Sequence, residues 1–503
     1  MTNLNFKEVF LQPVLSRKDS EADAFCIKDI TYSYRQLYNL TEQIYLLVKD
    51  IQEENIGLYA VDDIRTYASI IALWACGKTY VPLNPNQPIE RHVEVMTSIG
   101  SHYILSADEK YNIGLEQINI LSTKNTLTDS YKENGCLKIM DIEDTALAYI
   151  IFTSGSTGKP KGVAISRSNV VAFIDSMDQI GLSITEKDRC LQPFDLTFDF
   201  SVSSYVIPLV KGACIYTIPQ KAIKFSYIAG LLEDYKLTVL QMVPSMVRNM
   251  LPYIDEIELG SVRYNIFCGE ALTGKVISQW HKANPEMVSY NMYGPTEDTV
   301  FCTYYLIDKN NANNPLANND IVSIGKTFIN SGVLLIDDNE RTISDCNKEG
   351  ELCLCGSQLT PGYWNNPKEN SAKFFIVDGV RYYRTGDLCF YGENQNLMYL
   401  NRKDFQVKIN GFRVELGEIE NRFSEISGGK FCIVLPYTNS QYNTELAIVI
   451  EGDNYDFKED KAKLSNLLPA YEIPNKWLFL KSIPLNTNGK VDRKKIKQIL
   501  ELS

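Results

Sequence analysis

Residues 147–171 read LAYIIFTSGSTGKPKGVAISRSNVV and join an apolar run to a loop rich in hydrogen-bond donors. The run Tyr149–Phe152 consists of aromatic and β-branched residues, which predicts a buried strand. The TSGSTGKPKG that follows, residues 153–162, places small residues, hydroxyl groups and two lysines where they can meet a polyphosphate. Lys159 is followed by Pro160 instead of serine or threonine, so this loop is not of the Walker A type. We predict a phosphate-binding loop, because a plain flexible loop would not explain so many donors behind a buried strand.

Alternation of strand and helix recurs on both sides of this loop. Three segments pair a short apolar run with apolar residues at helical spacing: IGLYAVDDIRTYASIIALWACGKTYVPLN from Ile56, LTVLQMVPSMVRNML from Leu237 and VRYNIFCGEALTGKVISQW from Val262. In the first of them a second strand, which includes Tyr80-Val81-Pro82, follows the helix. Such alternation is typical of an α/β fold with parallel strands. We therefore predict a large N-terminal domain of α/β layers.

The pattern changes toward the C-terminus. Over residues 332–400, short runs such as GVLLIDD, GELCLCG and NQNLMYL are separated by Asp, Asn and Gly turns, which predicts an antiparallel, barrel-like subdomain. From Asp404 onward, FQVKINGFRVELGEIENRFSEI and the later KFCIVLPY and ELAIVIEG predict a small α+β domain. We place an N-terminal domain at 1–403 and a mobile C-terminal domain at 404–503. No Gly/Ser-rich linker lies between them, so the joint is predicted to be a short hinge at Asp404.

Composition excludes several classes of protein. The 503 residues include 50 Lys and Arg against 62 Asp and Glu, and the net charge of −12 repels a phosphate backbone, so we expect no nucleic-acid partner. No stretch reaches the ~18 uncharged apolar residues of a membrane span, and we expect a cytoplasmic protein without membrane insertion. The 12 scattered cysteines predict buried thiols, and three distant histidines argue against a zinc hydrolase or a histidine-based triad.

Further motifs follow the loop in a fixed order. They are NMYGPTEDTV at 291–300, YRTGDL at 383–388, NRKDFQVKINGFRVELGEIE at 401–420 and LNTNGKVDRKKI at 485–496. Together with TSGSTGKPKG they resemble the adenylate-forming superfamily, which includes acyl-CoA synthetases, luciferases and the adenylation domains of non-ribosomal peptide synthetases. The resemblance covers essentially the whole chain. It is strongest to the amino-acid-activating branch and, in length and in FCGE at 267–270, to free-standing D-alanine to carrier-protein ligases.

The resemblance implies two cofactors, ATP and Mg²⁺, and assigns residues to them. The side chain of Tyr293 would face adenine, Asp387 would accept the ribose hydroxyls, and Glu297 would bind Mg²⁺ that bridges the phosphates. Lys490 is implied as the catalytic lysine of adenylate formation and Lys408 as a catalytic residue of the second half-reaction. The remaining nucleotide-binding residues would be Thr153, Ser154, Gly155, Ser156, Thr157, Gly158, Lys161, Gly269, Glu270, Ala271, Asn291, Gly294, Thr296 and Arg402.

By the same resemblance, Asp199 lies where amino-acid-activating members keep an aspartate for the α-ammonium group of the substrate. The rest of the pocket would be Phe200, Ser203, Gln241, Ile266, Cys268, Met292, Val300 and Phe301. These medium-to-large, mostly neutral side chains favour a small neutral amino acid. D-alanine is the leading candidate. Phe200 and Ser203 are not customary in D-alanine ligases, and Gly417 stands where those ligases usually have glutamate, so threonine or serine stays an alternative.

No carrier-type Gly-Gly-x-Ser motif is present, which predicts a phosphopantetheinylated carrier protein as a separate partner, with coenzyme A as the alternative thiol. Two further interpretations remain open: an acyl-CoA synthetase of the same fold, which Asp199 disfavours, and a catalytically silent nucleotide-binding module, which the joint presence of Lys161, Glu297, Asp387 and Lys490 disfavours.

Overall fold

The structure is a computed structural model that describes residues 5–124, 137–155, 160–404, 406–439, 443–453, 455–484 and 491–502. The chain divides into two compact units. The first unit comprises Met1–Asn84, Ser98–Ile151 and Gly162–Lys403. The second unit comprises Pro85–Thr97, Phe152–Lys161 and Asp404–Ser503, so two short segments from the first third of the chain belong to the same unit as the C-terminal residues.

The α-helices, in chain order, are α1 Gln12–Leu15, α2 Tyr34–Val48, α3 Ile64–Ala75, α4 Ile89–Ile99, α5 Arg167–Gln179, α6 Phe200–Lys211, α7 Lys224–Tyr235, α8 Pro244–Met250, α9 Gly274–Ala283, α10 Pro367–Lys373, α11 Leu416–Ile426, α12 Lys458–Ser465 and α13 Arg493–Leu502. A π-helical turn, Lys7–Leu11, precedes α1. Short 3₁₀ turns occur at Leu251–Glu256, Thr296–Asp298, Glu393–Gln395 and Ala470–Glu472.

The strands are β1 Asp23–Ile27, β2 Ile30–Ser33, β3 Asn55–Tyr59, β4 Thr79–Leu83, β5 Tyr103–Ser106, β6 Asn119–Ser122, β7 Leu147–Thr153, β8 Lys161–Ser166, β9 Arg189–Gln192, β10 Cys214–Thr217, β11 Val239–Met242, β12 Tyr264–Phe267, β13 Val288–Tyr293, β14 Thr303–Ile307, β15 Ala317–Asn318, β16 Ile321–Val322, β17 Lys326–Thr327, β18 Ser331–Ile336, β19 Thr342–Ile343, β20 Gly350–Gly356, β21 Gly362–Tyr363, β22 Phe374–Val377, β23 Val380–Tyr391, β24 Leu397–Arg402, β25 Gln406–Ile409, β26 Phe412–Glu415, β27 Cys432–Thr438, β28 Thr444–Glu451 and β29 Lys476–Leu480.

Two large sheets confirm the predicted α/β class. One has nine strands in the order β17-β14-β13-β12-β11-β9-β10-β1-β2, and its central strands are parallel because helices connect them. The other has seven strands in the order β21-β8-β7-β4-β3-β5-β6. Its parallel pair β3 and β4, joined by α3, is the strand–helix–strand unit that the sequence predicts from Ile56.

The core of the first unit is unusually aromatic. Trp74 on α3 donates a 2.8 Å hydrogen bond from Nε1 to the carbonyl of Ala148 on β7. The hydroxyl groups of Tyr80 on β4 and Tyr205 on α6 lie 2.8 Å apart, so two buried tyrosines satisfy each other. The Trp74 bond ties α3 to β7, the strand that leads into the predicted phosphate loop.

The predicted antiparallel subdomain is a six-stranded sheet, in which β19-β18-β20-β23-β22 are neighbours and β24 pairs with β23. In the second unit, β25 and β26 form a hairpin, and the three-stranded sheet β27-β28-β29 packs against α11 and α12 through Ile419, Phe423 and Leu464. Among the described residues, no helix has both the length and the apolar character needed to cross a membrane.

The described cysteines are all free thiols, and most of them are buried, as the sequence predicts. Two described cysteines are not buried: Cys346 is exposed and Cys355 is partly exposed.

Candidate functional site

In the first unit, two predicted nucleotide-binding segments begin where neighbouring parallel strands end. Phe267, the last residue of β12, is paired with Asn291 near the end of β13. The segment Cys268–Ala271 therefore leaves the sheet at the same edge as the segment Tyr293–Glu297. Ligands of open α/β sheets bind at the carboxyl ends of the strands, so this edge is the expected place for a nucleotide.

The predicted ribose-binding carboxylate, Asp387, lies in a buried polar cluster. It sits on β23 directly opposite Arg402 on β24, and Arg402 Nη1 contacts Asp387 Oδ1 at 2.9 Å. The hydroxyl of Tyr293 donates to Asp387 Oδ2 at 2.6 Å. Burial and the Asp387 carboxylate raise the pKa of Tyr293 well above its ordinary value, so this tyrosine stays a neutral donor. Three residues assigned separately from sequence thus form one hydrogen-bonded group.

The predicted magnesium ligand, Glu297, is buried and held by neighbours that the sequence analysis did not identify. The hydroxyl of Tyr363 donates to Glu297 Oε1 at 2.5 Å, and the hydroxyl of Tyr383 lies 3.2 Å from that of Tyr363. Tyr363 is fixed in turn, because its backbone N–H donates to Asn370 and because β21 pairs with β8. The described residues contain no group of three His, Cys, Asp or Glu side chains that could hold a metal ion. One carboxylate that leaves the other positions to phosphate and water suits Mg²⁺.

Asp298, the neighbour of Glu297 in the chain, is also fully buried. Neither of its carboxylate oxygens has a hydrogen-bond partner of good geometry among the described residues. Burial raises the pKa of Asp298 from its ordinary value of 3.8 to about 7, with the Glu297 carboxylate contributing in the same direction. The protonated, neutral form is therefore favoured up to about neutral pH.

Backbone strain is concentrated directly after this pair. Thr299 has φ of 50° and Val300 has φ of 72°, and a left-handed conformation is rare for a β-branched residue. The chain also passes close to Gly294, where an added Cβ would lie 2.4 Å from the carbonyl oxygen of Val300. This turn fixes the positions of Val300 and Phe301, two predicted pocket residues.

The nine predicted substrate-pocket residues are all buried in the first unit. Strand register places Gln241 beside Ile266 on one face of the nine-stranded sheet, and the Val239, Ile266 and Met292 side chains of that face belong to the same apolar cluster as helix α6. Phe200 on α6 packs edge-on against Phe301, with 5.0 Å between ring centroids. Asp199 precedes α6 and makes no capping hydrogen bond to it.

Two pocket residues carry buried polar atoms without hydrogen bonds. The Ser203 hydroxyl and both amide atoms of Gln241 have no hydrogen-bond partner among the described residues. Leaving such groups unpaired costs about 1–3 kcal/mol each, so a bound group that pairs with them gains affinity.

Two predicted nucleotide-binding side chains have structural partners. Glu270 accepts hydrogen bonds from the backbone N–H and hydroxyl of Ser245 and contacts Arg248, so it stabilises the first turn of α8. Asn291 donates from its side-chain amide to the carbonyls of Val322 and Ser323. These bonds hold the strand end on which predicted nucleotide-binding residues lie.

In the second unit, the start of the predicted phosphate loop contacts the segment Arg413–Glu418. The Ser154 hydroxyl donates to the carbonyl of Arg413 at 2.7 Å, and the backbone N–H of Gly155 donates to Glu418 Oε2 at 3.0 Å. Lys161 Nζ lies 3.7 Å from Glu415 Oε1. The partners of these loop residues are a backbone carbonyl and two carboxylates, and their predicted role as donors to a polyphosphate stays a prediction.

Comparison with known proteins identifies the family of this chain. The family described as AMP-binding enzyme matches residues 14–364. The chain is 31% identical over 507 residues to a D-alanine–D-alanyl carrier protein ligase of Lactococcus lactis, with 96% of this chain and 97% of that protein covered. The chain belongs to the AMP-binding enzyme family. This confirms the adenylate-forming superfamily that the motifs predict.

Two further relatives of this AMP-binding enzyme differ in size. Bacitracin synthase 3 of Bacillus licheniformis is 30% identical over 481 residues, which cover 93% of this chain and only 7% of that protein. The crystal structure of the Vibrio cholerae adenylation domain AlmE, in complex with glycyl-adenosine-5′-phosphate, matches with a TM-score of 0.85 at 26% identity, covering 98% of this chain and 97% of that one.

Some predicted residues of the AMP-binding enzyme lie outside the described residues or keep predicted roles only. Ser156, Thr157, Gly158 and Lys490 lie outside the described residues. Lys408 lies on β25 and is partly exposed, and Asp404 accepts a hydrogen bond from the backbone N–H of Gln406 at 3.2 Å. Their catalytic and hinge roles stay predictions.

The residues that the sequence analysis missed are Tyr363, Glu418 and Arg91, whose Nη1 contacts Glu418 Oε1 at 3.0 Å. Tyr363 lies in the sequence GYWNNP and Arg91 in a helical segment, so nothing local marks them as neighbours of a functional residue. Glu418 lies inside the quoted motif ELGEIE, and its place in that motif was the signal that could have marked it as a functional residue.

Proposed function

We propose that this enzyme is an ATP-dependent amino-acid ligase. It forms an aminoacyl-AMP with release of pyrophosphate and then transfers the aminoacyl group to the phosphopantetheine thiol of a separate carrier protein. The carrier step is supported by the 31% identity to a D-alanyl carrier protein ligase over nearly the full length of both chains. The adenylate step is supported by the similarity to an adenylation domain with a bound glycyl adenylate.

The observation that carries the choice of an amino acid is the burial of Asp199. Asp199 is 6% exposed and precedes a helix whose first residue, Phe200, packs in an apolar cluster. A buried carboxylate is stabilised by a cationic partner, and the α-ammonium group of an amino acid supplies one. Fatty and aryl acids lack that group, which disfavours an acyl-CoA synthetase.

Each unit contains candidate nucleotide-binding groups. In the first unit, Asp387 keeps acceptor capacity for ribose hydroxyls, and Tyr293 and Arg402 fix its orientation. Glu297 would hold Mg²⁺, which neutralises phosphate charge when bound.

In the second unit, Ser154, Gly155 and Lys161 would donate to phosphate oxygens. Lys490 would stabilise the negative charge that builds at the α-phosphate as the substrate carboxylate attacks.

D-alanine is the first candidate substrate because of the Lactococcus lactis relative. Serine or threonine is the second, and a different observation favours it. The unpaired Ser203 hydroxyl and Gln241 amide are buried among the pocket residues, and a substrate hydroxyl could both donate to and accept from them. A methyl side chain offers no such bond.

Amino-acid-dependent exchange of pyrophosphate into ATP tests the proposal. The panel is glycine, both alanines, serine, threonine and a fatty acid, and Asp199→Ala is compared with Asp255→Ala, an exposed aspartate. We expect exchange with one small neutral amino acid and a loss of roughly a hundredfold or more in Asp199→Ala, because breaking a buried charge pair costs about 3–5 kcal/mol. Exchange with the fatty acid alone would indicate an acyl-CoA synthetase, and no exchange with any acid would indicate a silent nucleotide-binding module.

The carrier step needs its own measurement. Mass spectrometry of a phosphopantetheinylated carrier protein, incubated with enzyme, ATP and the amino acid found by exchange, should show one aminoacyl group added. Transfer to coenzyme A but not to the carrier would contradict the proposed acceptor.

A further inference from the structure

The phosphate-loop donors in the second unit are occupied by carboxylates of the same unit. The backbone N–H of Gly155 donates to Glu418 Oε2 at 3.0 Å, and Lys161 Nζ lies 3.7 Å from Glu415 Oε1. Ser154 is engaged as well, because its hydroxyl donates to the carbonyl of Arg413 and accepts from the backbone N–H of Glu415. These are the described loop residues that the proposed function assigns to phosphate.

The Glu418 carboxylate is firmly held. It has no exposed surface and it contacts Arg91 Nη1 through Oε1 at 3.0 Å while Oε2 accepts from Gly155. It also lies in the first turn of α11, where the helix dipole stabilises negative charge. Glu472 lies beside it, and burial followed by the Glu418 charge raises the pKa of Glu472 well above its ordinary value. The Glu418 carboxylate lies closer to Arg91, at 3.0 Å, than the Glu94 carboxylate does, at 3.6 Å.

A phosphate and the Glu418 carboxylate cannot both accept the hydrogen of the Gly155 N–H. A backbone N–H has one hydrogen to donate, and Glu418 Oε2 already accepts it. A phosphate brought to the same N–H would also lie next to the charges of Glu415 and Glu418, and like charges at such distances in a buried site repel strongly. The buried cations there, Arg91 and Lys161, would have to exchange carboxylates for phosphate oxygens.

We propose that Glu418, assisted by Glu415, takes the place of the phosphates of ATP or of released pyrophosphate on this loop. Pyrophosphate must then leave the loop before Glu418 can accept the Gly155 N–H, and the contact disfavours the return of pyrophosphate. Glu418 would therefore take part in the reaction cycle. The inference rests on the proposed function, in which this loop binds phosphate. The ligand is an inorganic or nucleoside polyphosphate. Its phosphate oxygens compete with the two carboxylates for the Gly155 N–H and the Lys161 ammonium group.

Equilibrium binding of inorganic pyrophosphate with Mg²⁺ to the full-length protein tests the competition. In Glu418→Ala we expect pyrophosphate to bind about tenfold more tightly than in the parent, equivalent to about 1.4 kcal/mol. The matched control is Glu94→Ala, because Glu94 also contacts Arg91, at 3.6 Å, and its removal deletes the same charge. The ion pairs of Glu94 are with Arg91 and Arg422 and are partly exposed, so we expect the affinity of this variant for pyrophosphate to change by less than about threefold.

A second measurement reports the contact itself. In the ligand-free parent, the Gly155 amide should exchange its hydrogen slowly, and in Glu418→Ala it should exchange at least about tenfold faster, because slow exchange requires an intact hydrogen bond. If Glu418→Ala does not fold, Glu418→Gln carries both tests. Its amide oxygen preserves the shape and loses the charge, so we expect pyrophosphate to bind about threefold more tightly and Gly155 to stay protected.

Pyrophosphate affinity that is equal or weaker in the Glu418 variant would overturn the inference, and so would an equal gain in Glu94→Ala, which would reduce the effect to net charge. Absence of pyrophosphate binding to parent and variant alike would overturn it too. The proposed function is judged separately by amino-acid-dependent exchange, so an enzyme that catalyses exchange while its Glu418 variant shows no gain refutes this inference alone.

Discussion

Replacing Asp298 with asparagine should change how the stability of the protein depends on pH. The Asp298 side chain is fully buried, neither of its carboxylate oxygens has a hydrogen bond of good geometry among the described residues, and burial raises its pKa from 3.8 to about 7. In the unfolded chain this aspartate ionises near pH 4, whereas in the folded protein it holds its proton to about pH 7. Its contribution to stability is therefore fully present below pH 4 and is lost as the pH rises toward 7.

The size of the effect follows from the two pKa values. A difference of about three pH units corresponds to ~4 kcal/mol at about 1.4 kcal/mol per unit. Most of this is expressed above pH 5, so between pH 5 and pH 8 the parent should lose about 3 kcal/mol that the Asp298→Asn variant does not lose. Asparagine is neutral at every pH and has nearly the same shape. The free energy of unfolding of the variant relative to that of the parent should thus increase with pH.

Urea unfolding followed by tryptophan fluorescence at pH 5, 6, 7 and 8 measures this difference. Trp74 and Trp280 are buried in the first unit and report its unfolding. Asp255→Asn, at an exposed aspartate, is the matched control and should run parallel to the parent. A difference between Asp298→Asn and the parent that stays flat or decreases with pH would refute the reasoning.

Three other substitutions test separate features. His281 is buried against Ser289, and burial lowers the pKa of its side chain to about 4. The parent should therefore lose stability as the pH falls from about 6.5 to 4. Over that range the free energy of unfolding of His281→Gln, measured in the same way, should fall by about 3 kcal/mol less than that of the parent. Tyr363→Phe removes the hydrogen bond to Glu297, which should raise the Mg²⁺ concentration at half-maximal pyrophosphate exchange about tenfold; an unchanged value would show that Tyr363 does not position the carboxylate. Lys490→Ala should slow exchange a few hundredfold, about 3–4 kcal/mol, while carrier loading from supplied aminoacyl-AMP survives, and exchange within about tenfold of the parent would contradict its assignment.

The fold class and the family were within reach of the sequence because both depend on local signals. The strand–helix–strand pattern from Ile56 and the apolar run at Tyr149–Phe152 reflect burial with a fixed period, which a single chain displays directly. Motif residues such as Tyr293 and Asp387 are marked by their neighbours in the chain.

How these residues touch could not be predicted in the same way. Asp387 meets Arg402 through strand pairing, but it meets Tyr293 through contact between strands that are far apart in the chain. Tyr363 donates to Glu297 across 66 positions of the chain, and no spacing in the sequence encodes that contact.

The sequence by itself determined that the chain has an α/β fold and belongs to the adenylate-forming enzymes, because composition, periodicity and motifs are properties of neighbouring residues. It also supplied a predicted polyphosphate loop and a set of candidate residues. Only the tertiary structure decided the state of those residues. Burial shifts the pKa values of Asp298 and His281. Folding of the chain brings Glu418 to the Gly155 N–H from more than 200 positions away in the sequence. Desolvation and hydrogen bonding depend on what surrounds a group in space, and that is fixed only when the whole chain has folded.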